Sequence, residues 1–450
     1  MNKFKRNIFG ALLCSSIIAI SGCSNKDTSD GNSNAEGKNS VEVSSEVKSD
    51  VEKDVIRFTW WGSQDRHDYT NEMLKAYEEK NPNITFEVTP SSWDGYFEKL
   101  STQAAGGTMP DLLQMDYLYI STYAKNGTLT NLQPYVDSKD IDLTYIDEDL
   151  ANSGRIDDTL AGMAFSTSML AVAYNPDVLV EAGLEEPSPD WTWTDFLEMG
   201  KVVKEKTGKY GFDWNMGDIN AIRYWVRQYG YELFNKDSTA LGFDDVNMLA
   251  ELFQYQLDLQ EAGVVPSPDE RIQLSSLDIL AQPIAVKEQA GGVDIMNIPV
   301  VIESVNDTTK LQVLPNVEGG QPALYSKPGI FLSIAETSEI KGEAAKFIDW
   351  FMNSEESYDI MGVERGTPAN SEIREYLRPS LSKQQNLMMD YVDFSEPYRG
   401  SLPAPDPEGT SEMNDKIVNY RDQMFYGVIT PTEAAEAFMK DANEILAKNN

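Results

Sequence analysis

Cysteine is nearly missing from this chain of 450 residues: there are two, Cys14 and Cys23, and one histidine, His67. Cys14 falls inside an amino-terminal apolar leader, so neither a disulfide framework nor a cysteine-histidine metal site can be assembled. Positive charge is scarce as well. Lys and Arg total 37 against 73 Asp and Glu, a formal charge of -36, which repels phosphate backbones and anionic headgroups and argues against nucleic acid as a partner. The longest apolar run, Ile8 to Ile20, is too short for a membrane-spanning helix. There is no G-x-S-x-G turn, H-E-x-x-H helix, P-loop or G-x-G-x-x-G. The run Asp213 to Asp218 lacks the spacing and terminal glutamate of a calcium loop, so no metal or other cofactor is expected. Two opposed carboxylates would suffice for a glycosidase, and a chain this acidic leaves that alternative open.

What is present begins with a leader. Lys3, Lys5 and Arg6 precede the apolar run, the pattern of an export signal over residues 1–22. Its end, Ile20-Ser21-Gly22-Cys23, resembles the lipobox of bacterial lipoproteins, which implies a lipid on Cys23 and an anchor on the outer face of the cell membrane. An ordinary cleaved signal with an incidental cysteine is the other reading. Residues 24 to 54 hold Ser, Asn, Asp, Glu, Lys and Gly with no aromatic residue, so 23–54 reads as a disordered tether that buries no core.

From Val55 the pattern changes. Val55, Ile56, Phe58 and Thr59 favour a strand; Tyr69, Met73, Ala76 and Tyr77 recur at helical spacing until Asn81-Pro82; and Ile84, Phe86 and Val88 alternate as the next strand. Asp94 is placed to cap a helix with Phe97, Leu100 and Ala104 on its apolar face, ending at Gly106-Gly107. Asp111 to Asp116 then reads as a buried strand, and Ile120 to Ala124 as a third helix. This order predicts an α/β fold with a mostly parallel sheet covered on both faces, its ligand-facing loops at the carboxyl ends of the strands.

Several stretches together resemble the solute-binding lipoproteins of carbohydrate ABC importers, the maltose-binding-protein-like group. They are the Trp60-Trp61-Gly62 turn, NPNITFEV, Lys99 through Asp111, Asn126 to Leu129, Ala173 to Asp177, Glu181 to Leu184, Thr192 to Phe196, Lys327 to Gly329, Ala344 to Ile348, Arg365 to Pro368, and VITPTEAAEA ending at Ala437. The run from Trp60 to Tyr69, with Trp93-Asp94 and Gln114 to Asp116, looks closest to receptors for plant cell-wall oligosaccharides, pectin fragments included. The chain departs from the family at Ile279 to Val286, where a Phe-x-x-Gly-Lys-like segment usually precedes the second glycine loop; this puts the roles of Gly291 and Gly292 in doubt. The resemblance implies a two-lobed periplasmic-binding-protein-like fold with a cleft between lobes joined by hinge crossings. Lobe one would be 55–165 plus 328–390, and lobe two 166–327 plus 391–450. It implies a monomer without catalytic residues, which captures an oligosaccharide and delivers it to the transmembrane subunits of an ABC permease. A surface glycosidase and a glycan-binding adhesin or sensor are the alternatives.

Sugars need flat aromatic faces for their C-H surfaces and planar polar groups for their hydroxyls. The ligand-binding candidates in lobe one are Trp61, Ser63, Arg66, Trp93, Asp94, Asp116, Tyr117 and Arg365; in lobe two they are Trp214, Asp218, Arg223 and Tyr398. Adjacent residues in extended chain point to opposite sides, so at most one of Trp60 and Trp61 faces the cleft, and Trp61 is the choice. His67 is either a loop residue or a sugar contact. Trp225 sits on the apolar face of its helix and Trp193 has a packing role in the family, so both are expected in the core. Asp94 has a competing role as a cap, and Arg365 as a lobe-bracing salt bridge. An acidic sugar would need Arg66, Arg223 and Arg365 as its cations; were they buried structural partners, a neutral oligosaccharide would be expected instead.

Overall fold

The computed structural model describes residues 53–449. The leader, Cys23 and nearly all of the tether lie outside the described residues. In chain order come β1 (Asp54–Thr59), α1 (Gln64–Lys80), β2 (Ile84–Val88), α2 (Tyr96–Ala105), β3 (Leu112–Met115) and α3 (Ile120–Lys125). Three short strands follow: β4 (Met163–Ala164), β5 (Ser166–Ser168) and β6 (Leu170–Tyr174). Then α4 (Trp193–Thr207), β7 (Tyr210–Asp213), α5 (Ile219–Gln228), α6 (Val246–Glu261), α7 (Pro268–Leu274), β8 (Gln289–Ile295) and β9 (Lys310–Gln312) lead to β10 (Lys327–Pro328) and β11 (Phe331–Ile334). The rest is largely helical: α8 (Lys341–Asn353), β12 (Thr367–Pro368), α9 (Ser371–Leu377), α10 (Lys383–Phe394), α11 (Thr410–Phe425) and α12 (Pro431–Leu446). No helix among the described residues is long and apolar enough to cross a membrane.

Local chemistry sets most of these boundaries. The Ser63 side chain accepts the Arg66 N–H at the start of α1, and Asn81 ends it. Thr192 with Asp195, and Thr430 with Glu433, form reciprocal capping boxes on α4 and α12. Asp94, expected to cap α2, does not: the cap position is Gly95 at φ 78, and no side chain bonds there. The tight left-handed turn takes the place of the carboxylate cap and leaves Asp94 exposed.

Two sheets carry two separate cores. In the first the order is β2-β1-β3-β11-β4, with β1 parallel to both β2 and β3, and β11 antiparallel to β3 and β4. Its core runs from Ile56 to Phe165 and resumes from Ile330 to Leu377. The second sheet, β9-β6-β8-β7, pairs β8 parallel with β7 and antiparallel with β6. The second core runs from Met169 to Leu324 and from Met388 to Leu446. Leu381 packs on the first core and Leu387 on the second, so the chain changes core ahead of Asp390, where a crossing is expected from the resemblance.

Between the cores lies a three-stranded antiparallel sheet, β10-β5-β12. β5 carries the chain from the first core to the second, and β10 carries it back. Gly291 and Gly292 belong to β8, not to a loop; a Cβ on Gly291 would come within 2.6 Å of the Ala173 carbonyl, so the strand pair requires its absence. The divergent Ile279 to Val286 run forms a single 3-10 turn (Ile279–Ala281) and further turns ahead of that strand.

Candidate functional site in the cleft between two cores

The carboxyl edge of the first sheet gathers most of the lobe-one candidates. β1 ends at two indoles, and both turn inward. Trp60 is fully buried against Phe58 and donates from Nε1 to His67 Nδ1 at 3.1 Å, which assigns the lone histidine as an acceptor and thus neutral. Burial also holds the His67 pKa down. Trp61, expected in the cleft, is only 7% exposed and sits among Trp93, Tyr96 and Phe97. The two indoles do take opposite sides, but α2 covers the second side as well. The aromatic face left to solvent is Trp93, 42% exposed and edge-on to Trp61 with ring centres 5.1 Å apart.

Arg66 is half-buried and folds back over the turn, donating to the Trp61 carbonyl at 3.4 Å. A Cβ at Gly62 would fall 2.3 Å from Arg66 Cδ, so the glycine makes that path possible. Ser63 spends its hydroxyl on the cap. Asp116 follows β3 half-buried, accepting the Leu118 N–H at 2.9 Å; burial pushes its pKa up, and Lys327 partly offsets this. Tyr117 is buried, parallel to Phe331, and donates to the Pro403 carbonyl at 2.5 Å.

Arg365 is neither a ligand arm nor half of a salt bridge. It is 4% exposed, and donates to Tyr69 Oη at 3.0 Å and to Gln114 Oε1 and Thr70 Oγ1 at 2.6 Å each, all of them uncharged. It fastens α1 to β3 inside one core, and burial lowers its pKa to about 10.

The lobe-two candidates divide. Trp214 is 2% exposed and stacked on Trp193 at 4.2 Å and 8°, so its expected place in the site is corrected to the core. The strand end is overlaid by α5 and α6, whose Trp225 and Tyr255 complete the aromatic cluster. Asp218 caps α5 through the Asn220 N–H. Arg223 is buried and ion-paired with Asp406. Tyr398 is half-buried against Phe394 and borders a cavity of about 350 Å³ with Trp191 and Tyr224.

A larger cavity, about 440 Å³, was not anticipated. Asp213, Asn215, Arg271, Gln289, Asp294, Arg421 and Asp422 are among its polar groups, and Ile272, Ile298 and Phe425 among its apolar walls. Arg271 grips Asp213 with two hydrogen bonds of 2.7 and 2.8 Å, whereas Asp294 has no cation of its own and burial raises its pKa. Asp213 was visible as a strand end; Arg271 and Asp294 come from distant segments with no local signal. Ile295 pairs with Leu170 just beyond β5, and Met115 pairs with Phe331 just beyond β10. Asp294 and Asp116 therefore stand at strand ends that adjoin the hinge sheet from opposite cores. No group of three His, Cys, Asp or Glu among the described residues is arranged to hold a metal.

This architecture has known counterparts. An extracellular solute-binding protein family 1 structure from Alicyclobacillus acidocaldarius is similar with a TM-score of 0.79 and 29% identity, covering 88% of this chain and 99% of that one. A periplasmic oligogalacturonide-binding protein of Yersinia enterocolitica, in complex with saturated digalacturonic acid, is similar with a TM-score of 0.68 and 25% identity over 88% of this chain and 99% of its own. The galactooligosaccharide-binding protein of Bacillus subtilis is 24% identical over 397 residues, 86% of each chain. Residues 62–357 match the bacterial extracellular solute-binding protein family, and with two cores hinged about one small sheet the chain belongs to that family.

Proposed function

We propose that this protein is the lipid-anchored, extracytoplasmic receptor of a carbohydrate ABC importer, and that it captures a neutral oligosaccharide by hinge closure and hands it unaltered to the permease. The lobes that close are the units around the two cores, and Cys23 is the anchor. The observation that carries the reading is the placement of Asp116 and Asp294 at strand ends beside the hinge sheet, one from each core. Closing about β5 and β10 brings such edges toward a common ligand, so affinity and closure are one equilibrium. The galactooligosaccharide-binding relative supports a sugar as that ligand.

Charge supports a neutral one. Of the cations an acidic sugar would need, Arg223 and Arg365 are buried and already bonded, while Arg271 is committed to Asp213 and Arg421 to Asp422, which leaves the half-buried Arg66 on its carbonyl bond to Trp61. Asp116 and Asp294 bring carboxyl groups suited to hydroxyls, and a second carboxylate beside either would add like-charge repulsion to the burial that already disfavours its charged form. Trp93 offers an exposed stacking face edge-on to Trp61, and the exposed Asp94 follows it in the chain. The test is isothermal titration calorimetry of the chain from residue 54 onward against neutral galacto- and gluco-oligosaccharides and against digalacturonate, with the sugars recovered and sized. Saturable binding of an intact neutral sugar is expected. Cleaved sugar would replace this reading with a glycosidase, and preference for digalacturonate would overturn the charge argument.

A further inference from the structure

The carboxylate that Arg223 holds comes from another part of the chain. Between Arg399 and Gly409 the sequence reads RGSLPAPDPEG, and no helix or strand forms from Gly400 to Gly409. Pro403, Pro405 and Pro407 each fix one backbone angle, and Asp406 lies between the last two. This strap is fastened to lobe two by the Gly400 N–H on the Leu324 carbonyl at 2.7 Å and by Arg227 on the Ser401 carbonyl. It is fastened to lobe one by Tyr117 on the Pro403 carbonyl, and Leu402 packs on the first core.

Arg223 projects from α5 into this junction. Its guanidinium pairs with Asp406, donates to Asn220 Oδ1 and lies 3.5 Å from Tyr325 Oη, while its Nε has no acceptor. The Arg223 side chain is 4% exposed and the Asp406 side chain 24% exposed, so the aspartate is the partner of the two that meets solvent. Tyr117, a first-core residue next to Asp116, reaches the strap three residues before Asp406, so the pair formed by Asp406 with Arg223, on a second-core helix, lies close to the first core.

From this arrangement we infer that Asp406 is a specificity residue: it occupies Arg223 with an internal carboxylate and thereby excludes sugars that carry a carboxylate of their own. The inference rests on the reading of the cleft as an oligosaccharide site. A uronate presents the same planar, singly charged group to a guanidinium as an aspartate does, and the two compete for one partner. The internal group is held at high effective concentration by a proline-stiffened strap, and the external one must displace it. Neutral sugars do not compete for that partner, so Asp406 is silent toward them. Exclusion by an occupied charge is discrimination against the wrong ligand, which needs no added contact to the right one.

The test is calorimetric titration of the wild type, Asp406→Ala and Asp406→Asn with digalacturonate and with the tightest neutral oligosaccharide, after thermal unfolding has established that each variant is folded. Asp406→Asn keeps the shape of the side chain and guards against a misfolded alanine variant. The expected result is digalacturonate binding at least about tenfold tighter in the variants, neutral-sugar affinity within about threefold of wild type, and loss of the gain in Arg223→Met/Asp406→Ala. Unchanged digalacturonate affinity in a folded variant overturns the inference, as does a gain that survives the loss of Arg223. Failure of the neutral-sugar reading would appear in the wild type; failure of this inference appears only in the difference between wild type and variant.

Discussion

Tyr117 of the first core and Pro403 of the strap are joined by a hydrogen bond of 2.5 Å from phenol to carbonyl, across 286 positions of sequence. Arg399 makes a second bridge to the lobe-one residue Asp147, at 3.0 Å. Both contacts tie the strap and the residue that leads into it to the first core, and both must break if the lobes swing wide. Tyr117→Phe removes one hydrogen bond worth about 1 kcal/mol, so sugar affinity should weaken by roughly fivefold and the radius of gyration of the empty protein should rise. Asp147→Ala should act in the same direction by less, about 0.2–1 kcal/mol, because the Asp147 carboxylate is exposed and screened by salt. Small-angle scattering with and without sugar reads both effects, and an unchanged empty state in Tyr117→Phe would remove the strap from the closure equilibrium.

Trp93 and Trp214 should respond in opposite ways. Trp93→Ala removes an exposed stacking face and is expected to weaken sugar binding by about 0.5–1.5 kcal/mol with little change in stability. Trp214→Ala empties the slot beside Trp193 and is expected to cost about 3–5 kcal/mol of folding free energy. Urea unfolding followed by circular dichroism, beside calorimetric titration, separates the two.

Two buried carboxylates predict opposite pH dependences. Burial holds the Asp116 pKa above its unfolded value, so its contribution to stability is complete below the usual carboxylate range and is lost as pH rises through the folded pKa. Asp116→Asn should therefore be more stable than wild type at neutral pH, with the advantage vanishing in acid, while sugar binding falls. Burial pushes Asp111 up too, but hydrogen bonds from the Arg57 side chain and backbone outweigh it and hold the pKa down. That contribution is present above the unfolded pKa and is lost as pH falls through the folded one. Asp111→Asn should cost about 1–3 kcal/mol at neutral pH and little in strong acid. Unfolding curves between about pH 3 and pH 7 test both signs.

Arg365→Lys is a substitution of like charge that should fail. The guanidinium addresses Tyr69, Gln114 and Thr70 from three separate nitrogens, and the single nitrogen of a lysine, on a shorter side chain, cannot meet all three. A loss of about 2–4 kcal/mol in unfolding free energy is expected, without a change in which sugar binds. Retention of wild-type stability would mean that these bonds hold little.

The first three β-α pairs were legible because their signals are local: alternation in Ile84-Thr85-Phe86, helical spacing through Met73 and Tyr77, and the stop at Asn81-Pro82. The site was legible only by neighbourhood. Trp61, Arg66, Trp93 and Asp116 do gather at one sheet edge, but which of them faces solvent depends on what covers them. Arg365 meets Gln114 and Thr70 across 251 and 295 positions, and Trp214 meets Trp193 from another element. No local pattern announces such partners. An indole at a strand end reads the same whether or not a helix lies over it.

That distribution of indoles has an optical consequence. Of the eight tryptophans, Trp93 alone is among the exposed large apolar residues; Trp350 is half-buried against the first core, and Trp60, Trp61, Trp191, Trp193, Trp214 and Trp225 are buried within the two cores. The intrinsic emission of the folded chain is thus mostly that of shielded indoles, with Trp93 the ring most open to water. A sugar that stacks on that ring displaces its hydration and shifts its emission, whereas a change confined to the cores leaves the water-facing component untouched. A single chromophore, already in place, distinguishes occupancy from rearrangement without a label.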